Sequence, residues 1–312
     1  MKDNVFASKS ERQNFLKLSR RWGDNFQIYH NLPFLSVFDK ENLFDLTDPF
    51  LPEPYTVSQR DFQRLKKTSI DYTICHQDDK PILCIEFDGL QQGFSHGVHY
   101  HTDQPSKPWR KTITELKLKV ARGSFFEFIV VGSNVFRDID RSIQISIVDG
   151  IIGEVIARRL IKEKLATGAV WEEYGYTEDE FNKLDSFIQQ ELIEDYVIGV
   201  EVSTQQENNP IWQKSGELAL ELQGYYKSWS PMPVEYPPID HKLIGVDRIR
   251  AMQQSKLVGT AVTLHTEVYG DIVGQVMVPN YGSGAIFSGL TQELAFIQAL
   301  LNLKKVIMNR SR

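Results

Sequence analysis

Apolar and polar residues alternate over two short runs joined by a polar turn in "IDYTICHQDDKPILCIEFDG", residues 70–89. That period of two is the mark of a β-hairpin. A two-residue turn at Asp78-Asp79 sets Thr73 opposite Cys84, Cys75 opposite Ile82 and Asp71 opposite Glu86. Ile70, Tyr72, Ile74, Leu83, Ile85 and Phe87 then line one face. Asp71, Glu86 and, by strand alternation, Asp88 share the other, with opposed side chains about 5 Å apart at Cβ. A slip of one residue would destroy the apolar face and the carboxylate group together.

The flanking pattern predicts an α/β domain. Ser8 followed by Glu11 is a capping-box pattern that starts a helix running to Trp22, with Phe15, Leu16 and Leu18 on an apolar face. "FQIYHNLPFLSVF" (26–38) reads as a strand, "DLTDPFLPEP" (45–54) as a loop, and "SQRDFQRLKK" (58–67) as a short helix. A loop rich in His and Gly follows the hairpin over 89–108. In "WRKTITELKLKVARG" (109–123), Trp109, Ile113, Leu116 and Val120 form one stripe at helical spacing, and Gly123 ends the helix. "FFEFIVVG" (125–132) reads as a buried strand and "SIQISIVDG" (142–150) as another.

Residues 151–168 and 177–199 read as helices, and "SWSPMPVEYPPIDH" (228–241) as a proline-rich linker or extended crossing. The last segment reads as helix, strands at 259–270, 271–280 and "GAIFSG" (284–289), then helix over 291–307. The expected organisation is an α/β domain at 1–148, a helical middle segment with linker at 149–241, and a small α+β domain at 242–312.

A chain of 312 residues favours more than one domain, and 41% hydrophobic with 24% charged residues supports packed cores. No apolar run approaches the roughly 18 residues of a membrane span, so no membrane partner is expected. "MKDNVFASKSERQNF" lacks a signal-peptide core, which makes the cytoplasm the expected location. Cys75 and Cys84 are the only cysteines, which excludes a disulfide framework or a four-cysteine zinc site. A net charge of −6 argues against a general nucleic-acid coat, while leaving room for a local basic groove. Basic residues cluster at 9–21, 64–68, 107–122 (Arg110 and Lys111 among them) and 304–312; each cluster also reads as a solvated helix face.

Opposed carboxylates repel, and a cation relieves the repulsion. Oxygen ligands converging on one point suit Mg²⁺ or Mn²⁺. Such an ion can activate water and stabilise charge on a phosphoryl group. A lysine commonly assists, and the helix over 109–123 offers Lys117 and Lys119, between which helical phase does not choose. One carboxylate alone would serve solubility; an opposed pair with a third two residues on is harder to read that way.

"SIDYTI…PILCIEFDG" resembles the core of the PD-(D/E)XK nuclease superfamily, in its E-x-D-G branch similar to very-short-patch-repair endonucleases. The resemblance covers residues 8–135 and includes the order of elements around the hairpin. It implies a restriction-endonuclease-like core, a mixed central sheet flanked by helices. It further implies Asp71 and Glu86 as ligands of Mg²⁺ or Mn²⁺, supported by Asp88. Asp88 stands where many members carry the catalytic lysine, so Lys117 or Lys119 would replace it. Glu11 matches an acidic residue that the first helix sometimes contributes to the metal, and it reads equally as a plain capping residue. Gln91, His96, Arg110 and Lys111 become candidates for substrate contact. The implied activity is metal-dependent hydrolysis of phosphodiester bonds, in DNA first and in RNA second. The alternative is a catalytically inactive nuclease-fold subunit for nucleic-acid binding or assembly.

His96, His99 and His101 lie within "SHGVHYH", a spacing unlike any zinc finger. "VPNYGSGAIFSG" (278–289) lacks the Lys-Ser/Thr of a P-loop. The C-terminal order of helix, strands and helix faintly resembles a double-stranded-RNA-binding fold. Thr291, Gln292 and Glu293 stand where that fold presents lysines, which favours a protein partner or a homodimer through the C-terminal half.

Overall fold

The computed structural model describes residues 6, 8–39, 43, 56–88, 91–95, 99–102, 108–132, 138–140, 143–236, 242, 257–279 and 284–310. They form a mixed α/β architecture in two compact units. One comprises Met1–Val148, Met232–Thr260 and Val276–Thr291; the other comprises Asp149–Pro231, Ala261–Gln275 and Gln292–Arg312.

In the first unit, α1 (Lys9–Trp22) starts at Ser8, whose side chain accepts the Glu11 N–H at 3.1 Å. β1 (Gln27–Pro33) is shorter than the expected strand, since Phe34–Ser36 turn into one 3-10 turn. Phe34 is fully buried there and stacks on Phe38, so a tight turn serves the core better than further extension. α2 (Gln59–Leu65) is capped by Ser58. β2 (Ser69–Cys75) and β3 (Pro81–Asp88) make the hairpin.

The turn differs from the expected two-residue form. His76 N–H bonds Lys80 O at 2.8 Å, Asp79 N–H bonds His76 O at 3.0 Å, and Asp79 sits at φ 64°. This is a three-residue loop whose last member takes the left-handed conformation. Cys75 accordingly pairs with Pro81 rather than Ile82. A bulge between Ile74 and Cys75 then restores the expected pairing, with Thr73 opposite Cys84 and Tyr72 opposite Ile85.

Beyond the hairpin, β4 (Gln91–Ser95) and β5 (His99–Thr102) form a two-stranded ladder where a loop was expected. α3 (Pro108–Gly123) follows the predicted stripe, with Leu116 and Val120 buried. It leads to β6 (Glu127–Gly132), which runs parallel to β3. The central sheet has the order β1-β2-β3-β6, antiparallel except for its last pair. Both faces are covered. Cys84 packs with Leu116, Val120 and Ala121 of α3, while Tyr72, of the opposite face, donates to the Glu11 carbonyl of α1 at 2.9 Å. β7 (Asp138–Asp140) and β8 (Ile143–Ser146) pair as a short ladder.

The helical region begins four residues earlier than its sequence texture suggested. α4 (Ile147–Thr167) takes over the "IVDG" expected as strand. α5 (Val170–Glu173), α6 (Glu178–Phe181), α7 (Ser186–Asn208) and α8 (Pro210–Leu222) follow. Buried Glu154 accepts from Arg158 Nε at 3.0 Å and from Gln205 Nε2 at 2.7 Å. Asn209 Nδ2 donates to Gln205 Oε1, and Asn209 Oδ1 caps α8 through the Ile211 N–H. Such a buried polar chain is tolerable because its members satisfy one another.

Residues 228–236 are extended, as a strand, the second of the two expected forms. β9 (Ser228–Tyr236) lies at one edge of the order β11-β10-β9, with β10 (Leu257–His265) and β11 (Asp271–Pro279). An edge strand can carry Pro231 and Pro233 because prolines there need not donate to a neighbour. "GAIFSG", expected as a strand, is the first part of α9 (Gly284–Arg310), a single 27-residue helix. The helix expected before β10 lies outside the described residues. No helix among the described residues is long and apolar enough to cross a membrane.

Candidate active site

Asp71 and Glu86 stand on neighbouring central strands, each one residue beyond the pair formed by Tyr72 and Ile85. Lys117 arrives from α3, whose apolar neighbours Leu116 and Val120 anchor that face of the helix. Its ammonium donates to Glu86 Oε1 at 2.8 Å, to Glu86 Oε2 at 2.9 Å and to the Ser69 carbonyl at 2.7 Å. The Lys117 side chain is 3% exposed and that of Glu86 19%. A lysine so enclosed needs its three donors satisfied, and here they are. Lys119, two residues on, is exposed. The structure therefore distinguishes two lysines that helical phase left equivalent.

Asp71 is half-buried, and the Phe87 N–H donates to its Oδ2 at 2.8 Å. Burial pushes its carboxyl above the ordinary range. The Phe87 N–H and the Lys117 ammonium pull the other way, and the Glu11 carboxylate adds to the rise. Glu11 lies 2.6 Å from His30 Nε2, and both side chains are nearly enclosed. Its N–H is held by Ser8, as the capping pattern predicts, while its carboxylate turns inward to His30. His30 escaped sequence reasoning. The contact joins a helix to an edge strand across 19 residues, and no local spacing signals it. Asn31, beside it, holds φ 56° opposite the Asp71 position, an irregularity also invisible in the sequence.

Asp71 thus has Lys117, Glu11 and His30 as ionisable neighbours, Lys117 holds Glu86, and Lys119 is left at the surface. Asp88 ends β3, paired in the ladder with Gly132, but its side chain lies outside the described residues. The same holds for the side chains of Gln91, Arg110 and Lys111, whose backbones lie in β4 and α3. His96 lies wholly outside the described residues.

Asp71 and Glu86 supply hard oxygen donors of the kind that Mg²⁺ or Mn²⁺ prefers. Asp71 and Glu86 would gain from such a cation, since burial and the Glu11 carboxylate disfavour the charged form of Asp71. They fit such an ion in kind. In number they form only part of a coordination shell, for among the described residues no three His, Cys, Asp or Glu side chains are grouped as metal ligands.

Compared with known proteins, the chain matches no family model, no curated protein sequence and no solved structure.

Proposed function

We propose that this protein is a metal-dependent nuclease that hydrolyses phosphodiester bonds in nucleic acid, DNA in preference to RNA, on a PD-(D/E)XK-like core. The observation that carries the reading is the Lys117–Glu86 contact. The resemblance asks for a lysine beside the second acidic residue, Asp88 occupies its usual place, and α3 brings one to Glu86 instead. The order of elements supports it as well: a capped helix, three antiparallel strands, a helix, and a fourth strand parallel to the third.

In this reading Asp71 and Glu86 would hold a divalent ion, with Asp88 in support. When bound, the ion supplies an activated water and charge stabilisation at the phosphoryl oxygens. Lys117, whose three donors go to Glu86 and the Ser69 carbonyl, would release one Glu86 oxygen to the ion and turn that donor toward the scissile phosphate, where its charge would offset the negative charge that develops. Glu11 and His30 keep the Asp71 side of the site polar and ordered. The free thiols Cys75 and Cys84, both buried, suit a reducing compartment such as the cytoplasm.

A second reading is a nuclease fold that binds nucleic acid without cleaving it. Lys117 engages both Glu86 oxygens, which favours this alternative if the ammonium never yields one. Calorimetric titration with Mn²⁺, followed by incubation with plasmid and single-stranded substrates, separates the two. Ion binding with cleavage supports the nuclease; nucleic-acid affinity with neither ion binding nor cleavage selects the second reading.

A further inference from the structure

The three-stranded sheet of β9, β10 and β11 has one face turned to α9. Trp229 packs on Phe296 at 5.0 Å between ring centroids, and a Cβ on Gly274 would meet the backbone of Ala295 and Ala299 at 2.3 Å. Strand alternation turns Ser228, Ser230, His265, Asp271 and Val273 to the opposite face. On that face Ser230 Oγ lies 3.2 Å from His265 Nε2, and His265 Nδ1 lies 3.0 Å from Asp271 Oδ1. The serine meets one ring nitrogen and the carboxylate meets the other.

We propose that Ser230, His265 and Asp271 form a nucleophilic site for acyl transfer, separate from the Asp71 region. The order of contacts is the one a serine nucleophile requires. An aspartate on Nδ1 fixes the tautomer that leaves Nε2 as an acceptor, and Nε2 faces the hydroxyl whose proton must leave. Ser230 Oγ attacks the carbonyl carbon of an ester while its proton passes to His265 Nε2. The proton then goes to the departing alkoxide, leaving an acyl-serine and an alcohol. Water, deprotonated by the same nitrogen, hydrolyses the acyl-serine to a carboxylic acid and restores the hydroxyl.

The substrate class is a small, solvent-accessible carboxylic ester. Val273, 51% exposed and two places beyond Asp271 on the same face, offers apolar surface to a short acyl chain. His265 and Asp271 are 43% and 65% exposed, so water screens their charges and the gain belongs at the low end of general-base assistance, about 10²-fold.

Ser228 supplies an internal control. It is exposed on the same strand, two residues from Ser230, and bonds no histidine among the described residues. The full-length protein is treated with a fluorophosphonate probe, and labelled serines are quantified by peptide mass spectrometry. The expected result is labelling of Ser230 about 10²-fold faster than of Ser228. His265→Gln is expected to bring Ser230 to the Ser228 rate and leave Ser228 unchanged. Asp271→Asn is expected to slow Ser230 alone, with partial recovery in Asp271→Glu, which a merely structural role would not produce. Equal rates at the two serines, or a Ser230 rate indifferent to His265→Gln, would overturn the proposal. All three side chains are at the surface, so these variants are expected to fold.

Discussion

Lys117 donates to both oxygens of Glu86, at 2.8 and 2.9 Å, and to the Ser69 carbonyl at 2.7 Å. One ammonium thereby ties α3 to both strands of the hairpin that carries the candidate carboxylates. Removing it leaves an enclosed charge without its partner. Lys117→Met is expected to lower unfolding free energy by about 3 kcal/mol, the range for breaking a buried pair. Lys119→Met, at an exposed position, is expected to change it by no more than about 0.5 kcal/mol. Urea titration of the two variants checks the contrast.

The double variant Lys117→Met/Glu86→Leu separates stability from function. Replacing both charges with apolar groups removes the desolvation penalty along with the attraction, so stability is expected to return to within about 1 kcal/mol of the parent. Metal-dependent cleavage is expected to stay absent. Recovery of cleavage together with stability would mean that the pair serves the fold alone.

Asp71 carries an opposite expectation for stability. Burial raises its carboxyl, so the folded chain holds that proton more tightly than the unfolded chain does. The stabilisation from the proton is complete below the ordinary carboxylate range and is lost as pH rises through the raised value. Asp71→Asn keeps an acceptor for the Phe87 N–H and carries no charge. It is expected to be more stable than the parent at neutral pH, with the difference shrinking toward acid. Thermal melts across the acid-to-neutral range read both.

How much of this was legible follows from particular residues. The alternation around Thr73 and Cys84 predicted the pairing that the structure has, although the turn was misplaced. A three-residue loop shifts the register one way, and the bulge beside Cys75 shifts it back. The two effects cancel because the apolar set from Tyr72 to Ile85 must be buried, and burial fixes register more strongly than turn composition does. The lysine could not be chosen from sequence, since Lys117 and Lys119 flank the same stripe and only the packed position of α3 separates them. His30 could not be found at all, because its link to Glu11 exists only once α1 lies across β1. The prolines left 228–236 open between linker and extended crossing; it is an edge strand, a position that removes their cost.

Gly274 marks a close approach in the second unit. A methyl there would meet the carbonyl oxygen of Ala295 and the nitrogen of Ala299, both at 2.3 Å, and backbone yields less readily than a flexible side chain. Gly274→Ala is expected to cost about 2 kcal/mol through overpacking. Chemical denaturation followed by circular dichroism measures it.

Glu293 is buried against Ser215, whose hydroxyl donates to it at 2.5 Å, and burial raises its carboxyl with Glu154 adding to the rise. By the same linkage, its protonated form stabilises the fold below the ordinary carboxylate range, and that contribution disappears as pH rises through the raised value. Glu293→Gln is therefore expected to flatten the loss of stability between acid and neutral pH, which melts at several pH values would register.

The most direct test of the account compares Mg²⁺-dependent cleavage of DNA by the parent protein and by Asp71→Asn, under conditions in which both are fully folded. The stability expected of Asp71→Asn removes unfolding as an explanation for lost activity. The account predicts cleavage by the parent that requires the ion and falls at least about 10²-fold in the variant, beyond the loss usual for residues outside the ligand shell. Cleavage of equal rate in the two proteins would contradict it.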